Sequence, residues 1–137
     1  MLDKSTSPQI FVNHQKSRRG LSRIFYATSY SWSGLKDAWE EPAFRLEAML
    51  ALVLIPLSIV VGNGLLEILF LLSGVFLVLI VEILNSAIES AIDRFGQEEN
   101  ELSRKAKDLG SAAVFVAIIF CTIIWCTLIF KNIWIDK

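Results

Sequence analysis

Between Ser111 and Phe130 the chain runs twenty residues without a charge. A helix of about 20 mostly apolar residues is what crosses a bilayer's hydrocarbon core. Backbone in lipid must satisfy its own hydrogen bonds, so any further span in such a chain is helical as well. Two more runs fit this requirement. Ile68 to Ile92 is apolar through Val81 and is then interrupted by Glu82, Asn85, Ser86 and Glu89. Ala48 to Val61 is extended at its start by Ala43, Phe44, Arg45 and Leu46, and Pro56 is expected to kink it, which spans tolerate better than soluble helices do. Gly62-Asn63-Gly64 predicts a tight turn between the first two spans. The expected fold class is therefore an all-α membrane protein with three transmembrane helices, at about 43–61, 68–92 and 111–130.

Composition supports this reading. Of 137 residues 54% are hydrophobic, and the charges stand in blocks between the apolar runs instead of being spread as the cover of a soluble core. The net charge of −1 argues against nucleic acid as a partner, which would call for a strongly basic balance. Cys121 and Cys126 lie within one apolar run, spaced poorly for a bridge, and read as small apolar fillers. The polar residues 1–19 contain no apolar stretch of signal-peptide length and read as a flexible cytosolic tail. His14 in that tail is given no metal role. Residues 20–137 read as a single membrane domain.

Lys and Arg mark the cytosolic side of a span. Seven precede the first span (Lys4, Lys16, Arg18, Arg19, Arg23, Lys36, Arg45), none lies in the Gly62 turn, four lie between spans two and three (Arg94, Arg104, Lys105, Lys107), and two follow (Lys131, Lys137). The N-terminus and the 93–110 loop should face the cytosol, with the C-terminus on the far side. Residues 21–39 differ from the spans. Leu21, Ile24, Phe25, Trp32, Leu35 and Trp39 form one helical stripe, with cations and serines largely elsewhere, so an amphipathic helix lying in the interface is expected before the first span.

The segment that carries chemistry is 81–93, VEILNSAIESAID. Glu82, Asn85, Ser86, Glu89 and Asp93 stand at i, i+3, i+4, i+7 and i+11, on one face of one helix. Ionisable residues in a span are costly and mark function by default. Counted from Ile68 at about 1.5 Å per residue, Glu82 lies roughly 21 Å in and Glu89 roughly 31 Å in, near the cytosolic headgroups. Glu40, Glu41 and Glu47 before span one and Asp93, Glu98, Glu99, Glu101 and Asp108 in the loop add carboxylates at that level. Carboxylates without His or Cys suit a hard cation such as Mg²⁺. Arg23, Arg45, Arg104, Lys105 and Lys107 suit phosphate. Three helices can hardly wrap such a stripe, so self-association is expected. No nucleotide-binding loop of known pattern is present. The alternative, that these groups only hold helices together, suits a lone Asn or Ser better than two glutamates a heptad apart.

Three stretches, VEILNSAIESAID (81–93), ELSRKAKDLGSAA (101–113) and YSWSGLKDAWEEPAFRLE (30–47), resemble the bacterial diacylglycerol kinases, small trimeric inner-membrane enzymes. The resemblance covers about residues 20–130, in order, with the same three-span layout. It implies transfer of the γ-phosphoryl group of MgATP to diacylglycerol, giving phosphatidic acid for phospholipid recycling, in a homotrimer with sites shared between subunits. It further implies Glu82 as general base with Asn85 orienting the site, and Glu41 and Glu89 as Mg²⁺ ligands. Nucleotide contacts would be Arg23, Tyr30, Glu41, Glu89, Glu98, Asn100, Lys107 and Asp108. Positions implied near the lipid are Arg23, Ala27, Tyr30, Trp32, Arg45, Glu47, Glu82, Ser111 and Trp125. The stretch after Trp39 is one residue shorter than is common in the family, which leaves Glu40 and Glu41 as rivals for one ligand position; Ala43-Phe44-Arg45 aligns Glu41. Arg104-Lys105 replace a common Gly-Arg pair. Undecaprenol kinase, on the same scaffold, is the competing enzyme. A small transporter or accessory subunit is the competing class, although a path should cross the bilayer and only Glu67 stands at the far end.

Overall fold

A computed structural model describes residues 21–94 and 100–134, with side chains from Tyr26 onward. The tail 1–19, the side chain of Arg23, and Glu98 lie outside the described residues. Four helices follow in order: α1 (Leu21–Glu40), α2 (Pro42–Val61), α3 (Leu65–Asp93) and α4 (Glu101–Trp134). No strand occurs among the described residues, and α2, α3 and α4 are each long and apolar enough to cross a membrane. The chain is thus the all-α membrane protein that its apolar runs demand.

Residues up to Leu35 form one compact unit and those from Lys36 a second. In the first, α1 exposes Tyr26, Tyr30, Trp32 and Leu35, an apolar surface that a helix in plain water would not keep. In the second, α2 begins cleanly. Glu41 is its N-cap with extended backbone, and Pro42 stands at the first position, where a missing N–H costs nothing. The helix continues through Pro56 to Val61. Gly62 ends it by donating its N–H to Ser58 O at 2.9 Å. Gly64 then takes φ +102°, a region glycine enters without the Cβ penalty, and α3 starts at once.

α3 has 29 residues and α4 has 34, about 44 and 51 Å at 1.5 Å per residue, against a hydrocarbon core of about 30 Å. Both therefore extend beyond the apolar zone. α4 starts at Glu101, well before the charge-free run opens at Ser111, because Asn100 caps it: its Oδ1 accepts the N–H of Leu102 at 2.8 Å and of Ser103 at 3.4 Å. Such a cap satisfies donors that the first turn leaves orphaned.

α3 packs most extensively on α4, and α2 lies mainly on α3. Their shared core is Ala51, Leu71, Val75, Cys121 and Trp125. Trp125 donates its buried indole N–H to Leu71 O at 3.3 Å, the partner a buried tryptophan needs. Close approach comes from small residues. A Cβ on Gly74 would stand 3.2 Å from both the Cα and the Sγ of Cys121. Both cysteines are free, as their spacing predicts.

At the end bearing the Gly62 turn, Glu67 gathers three donors: Lys131 Nζ at 2.7 Å, Asn132 Nδ2 at 2.9 Å and the Asn63 N–H at 2.9 Å. Asn132 Nδ2 also reaches Val61 O at 2.7 Å. Lys131, one of the two cations that follow the third span, is here the partner of the one acid at that end of α3.

Candidate active site

The opposite end of the second unit holds the acidic residues. On α3, Glu82 is 4% exposed and Asn85 8%, and Glu89 is half-buried one heptad beyond Glu82. The helical spacing does place them on one face. Asn85 Nδ2 donates to Glu89 Oε1 at 3.1 Å, so the amide orients that carboxylate. Asn85 Oδ1 is buried and accepts no hydrogen bond.

α2 brings two further carboxylates. Glu41 and Glu89 both lie within electrostatic reach of Glu82, and so does Glu47. Glu41 spends its side chain on no helix cap. Of the rivals Glu40 and Glu41, it is Glu41 whose charge acts on Glu82. Glu47 is half-buried, and its Oε2 is enclosed without a hydrogen-bond partner. It stands at the edge of a groove of about 320 Å³, otherwise lined mainly by apolar side chains that include Leu50, Leu54, Ile118 and Trp125. Glu82 is thus within electrostatic reach of carboxylates from the start of α2 and from α3, and like charges at such range repel.

α4 supplies the opposing charge. Lys107 Nζ binds Asp93 Oδ1 at 2.5 Å and also feels the charge of Glu89. It clasps the end of α3 to the start of α4. Arg104 pairs with Asp108 at 2.5 Å, one turn apart and largely exposed, a pair of small energetic weight. Among the described residues no group of three or more His, Cys, Asp or Glu is arranged to hold a metal ion.

The remaining expected site residues are distributed as follows. Arg45 is exposed on α2, Ser111 is exposed on α4, and Trp125 is buried in the core. Asn100 has its Oδ1 occupied in capping α4. Ala27, Tyr30 and Trp32 are exposed on α1, in the first unit. Residue-by-residue reading missed Gly110, which is buried against Asn85. A glycine inside a helical pattern, beside a loop rich in candidate ligands, was the available signal.

Three helices able to span a membrane, with the buried Glu82 and neighbouring acids toward one end, define an integral membrane protein with a polar patch at the edge of its apolar helices. Residues 29–129 match the family described as prokaryotic diacylglycerol kinase. A diacylglycerol kinase of Haemophilus influenzae is 49% identical over 100 residues, 72% of this chain and 85% of that one. The diacylglycerol kinase of Escherichia coli K12 is 49% identical over 100 residues, 72% of this chain and 82% of that one. A diacylglycerol kinase of Pseudomonas aeruginosa is 45% identical over 104 residues, 75% of this chain and 85% of that one. The chain belongs to the prokaryotic diacylglycerol kinase family.

Proposed function

We infer that this chain is an ATP-dependent diacylglycerol kinase. It moves the γ-phosphoryl group of ATP to the free hydroxyl of 1,2-diacylglycerol, forming an O–P bond as the β,γ-bridging bond of ATP breaks, and yields phosphatidic acid and ADP. The observation that carries the reading is the family match over 29–129, a range that contains the whole acidic cluster of α2, α3 and α4.

Phosphoryl transfer asks a protein mainly for positioning and charge neutralisation. Glu82, buried among other carboxylates, accepts the proton of the attacking hydroxyl. Asn85 keeps Glu89 in place through its amide hydrogen bond. Glu41 and Glu89 would hold Mg²⁺: carboxylate oxygens are the donors a hard cation takes, and one or two of them with the substrate's phosphates make a usual Mg²⁺ site. Bound there, Mg²⁺ would neutralise charge on the phosphates. Lys107, which binds Asp93, offers its ammonium to a phosphate oxygen of the nucleotide. Arg23, Tyr30, Glu98, Asn100 and Asp108 complete the nucleotide contacts.

The lipid takes the apolar groove that Glu47 lines, with its hydroxyl presented to Glu82, whose charge Glu47 feels. The resemblance assigns Arg23, Ala27, Tyr30, Trp32, Arg45, Ser111 and Trp125 to the lipid. Three copies associate, and neighbouring subunits share each site, which encloses the stripe on α3. The distribution of Lys and Arg supports an inner-membrane protein with its N-terminus and 93–110 loop in the cytosol, where ATP is, and its C-terminus in the periplasm.

Purified protein in mixed micelles, supplied with Mg²⁺, ATP and either diacylglycerol or undecaprenol, should form phosphatidic acid at the higher rate. Phosphorylation of undecaprenol alone would overturn the substrate assignment.

A further inference from the structure

Gly110 lies on α4 where that helix passes Asn85. A Cβ built on Gly110 would collide with Asn85 Oδ1 and stand 3.3 Å from Asn85 Cγ. Asn85 Oδ1 therefore occupies the space into which any other residue would project its side chain. The same oxygen is buried and accepts no hydrogen bond, whereas the amide nitrogen of that side chain donates to Glu89 at 3.1 Å. A carboxamide is planar and rigid, so whatever bounds its oxygen also fixes where its nitrogen points.

The contrast with Gly74 is informative. There a Cβ would meet the Cα of Cys121, so that glycine sets how closely two backbones approach, the ordinary service of small residues between membrane helices. At Gly110 the nearest atom belongs to a polar side chain of the site. Glycine inside a helix is less favourable than alanine, and here that loss coincides with room for one amide oxygen.

We propose that Gly110 is a positioning residue for phosphoryl transfer: by carrying no side chain it lets Asn85 seat its oxygen against α4 and hold the Glu89 carboxylate in its working direction. The proposal rests on the kinase reading above and adds a residue to the same site. It requires that an alanine at this position act through Asn85 and not through the helix interface at large.

Three variants test it in the detergent-solubilised full chain: Gly110→Ala, Asn85→Ala and the double substitution. Two quantities are read, MgATP affinity by isothermal titration without lipid and steady-state turnover with diacylglycerol. Gly110→Ala should weaken MgATP binding and lower kcat by roughly 10–100-fold, the usual worth of a group that orients a metal ligand, and leave the KM for diacylglycerol unchanged. In the Asn85→Ala background the same substitution should add no more than about twofold, the limit within which independent sites are additive, because the oxygen it would strike is gone. Wild-type MgATP affinity and turnover in Gly110→Ala would overturn the proposal. So would an equal loss in both backgrounds, which would assign Gly110 to helix packing. If Gly110→Ala fails to fold, the double variant decides: folding restored to the Asn85→Ala level supports the proposal, and failure in both overturns it. A wild-type chain that binds MgATP yet makes no phosphatidic acid would refute the kinase reading, while the binding arm would still test Gly110.

Discussion

The two ends of the second unit treat charge in opposite ways. At the Gly62 end one acid, Glu67, is matched by Lys131, Asn132 and the backbone of Asn63. At the other end Glu82 lies within electrostatic reach of Glu41, Glu47 and Glu89, and Lys107 is bonded to Asp93. Glu47 Oε2 and Asn85 Oδ1 are enclosed there without partners. The first pattern is that of a structural contact, since the acid and the lysine are paired, although Asn132 Oδ1 is also enclosed there without a partner. The second sets acid beside acid, with Glu82 within electrostatic reach of Glu41 and Glu89, and ionisable groups so placed are candidates for a functional site. A transport path would need ionisable groups along the whole thickness, whereas among the described residues the Gly62 end offers the internally paired Glu67 and Lys131.

Substitutions can break this contrast, and the largest effect belongs to Glu82. Glu82→Gln should lower turnover by on the order of 10²–10⁴, the usual worth of a general base, and leave the thermal midpoint at or above that of the parent, because one of several repelling carboxylates is gone. Activity within a few fold of the parent in a micelle assay would remove Glu82 from that role. Next in size, Glu89→Gln should raise the magnesium concentration needed for half-maximal rate by on the order of tenfold or more, in the range of losses at metal-supporting groups. An unchanged magnesium titration would take Glu89 out of the metal site.

Smaller effects sharpen the contrast from the other side. Trp125→Phe removes the indole hydrogen bond to Leu71 O and should cost about 1 kcal/mol of stability. Because Trp125 also lines the groove, the KM for diacylglycerol should rise while MgATP affinity stays fixed; a shift in nucleotide binding instead would contradict the assignment of the groove to lipid. The least effect on chemistry belongs to Lys131→Met. It should lower the thermal midpoint by stranding Glu67 and leave kcat as it was. A loss of turnover with an unchanged midpoint would mean that the Gly62 end is not merely structural.

Much of this was legible in the sequence because the signals are local. Ser111 to Phe130 announces a span by its apolar content alone, and Glu82, Asn85 and Glu89 share a face because helical periodicity leaves no other arrangement. The start of α4 at Glu101 was harder to see, since the turns before Ser111 are polar and their helicity depends on the Asn100 cap. Pairings between helices were not legible. Nothing near Lys131 in sequence points to Glu67, and nothing near Gly110 points to Asn85.

The sequence by itself determined that this chain crosses a membrane as helices and carries its acids on one stripe of α3, because hydrophobic burial and helical period depend only on residue type and spacing. Tertiary structure alone decided that Glu41 and Glu47 come within electrostatic range of Glu82, that Lys107 closes on Asp93, and that Gly110 makes room for Asn85. Those contacts depend on how one helix is rotated and shifted against the next, and packing across whole helix faces sets that register.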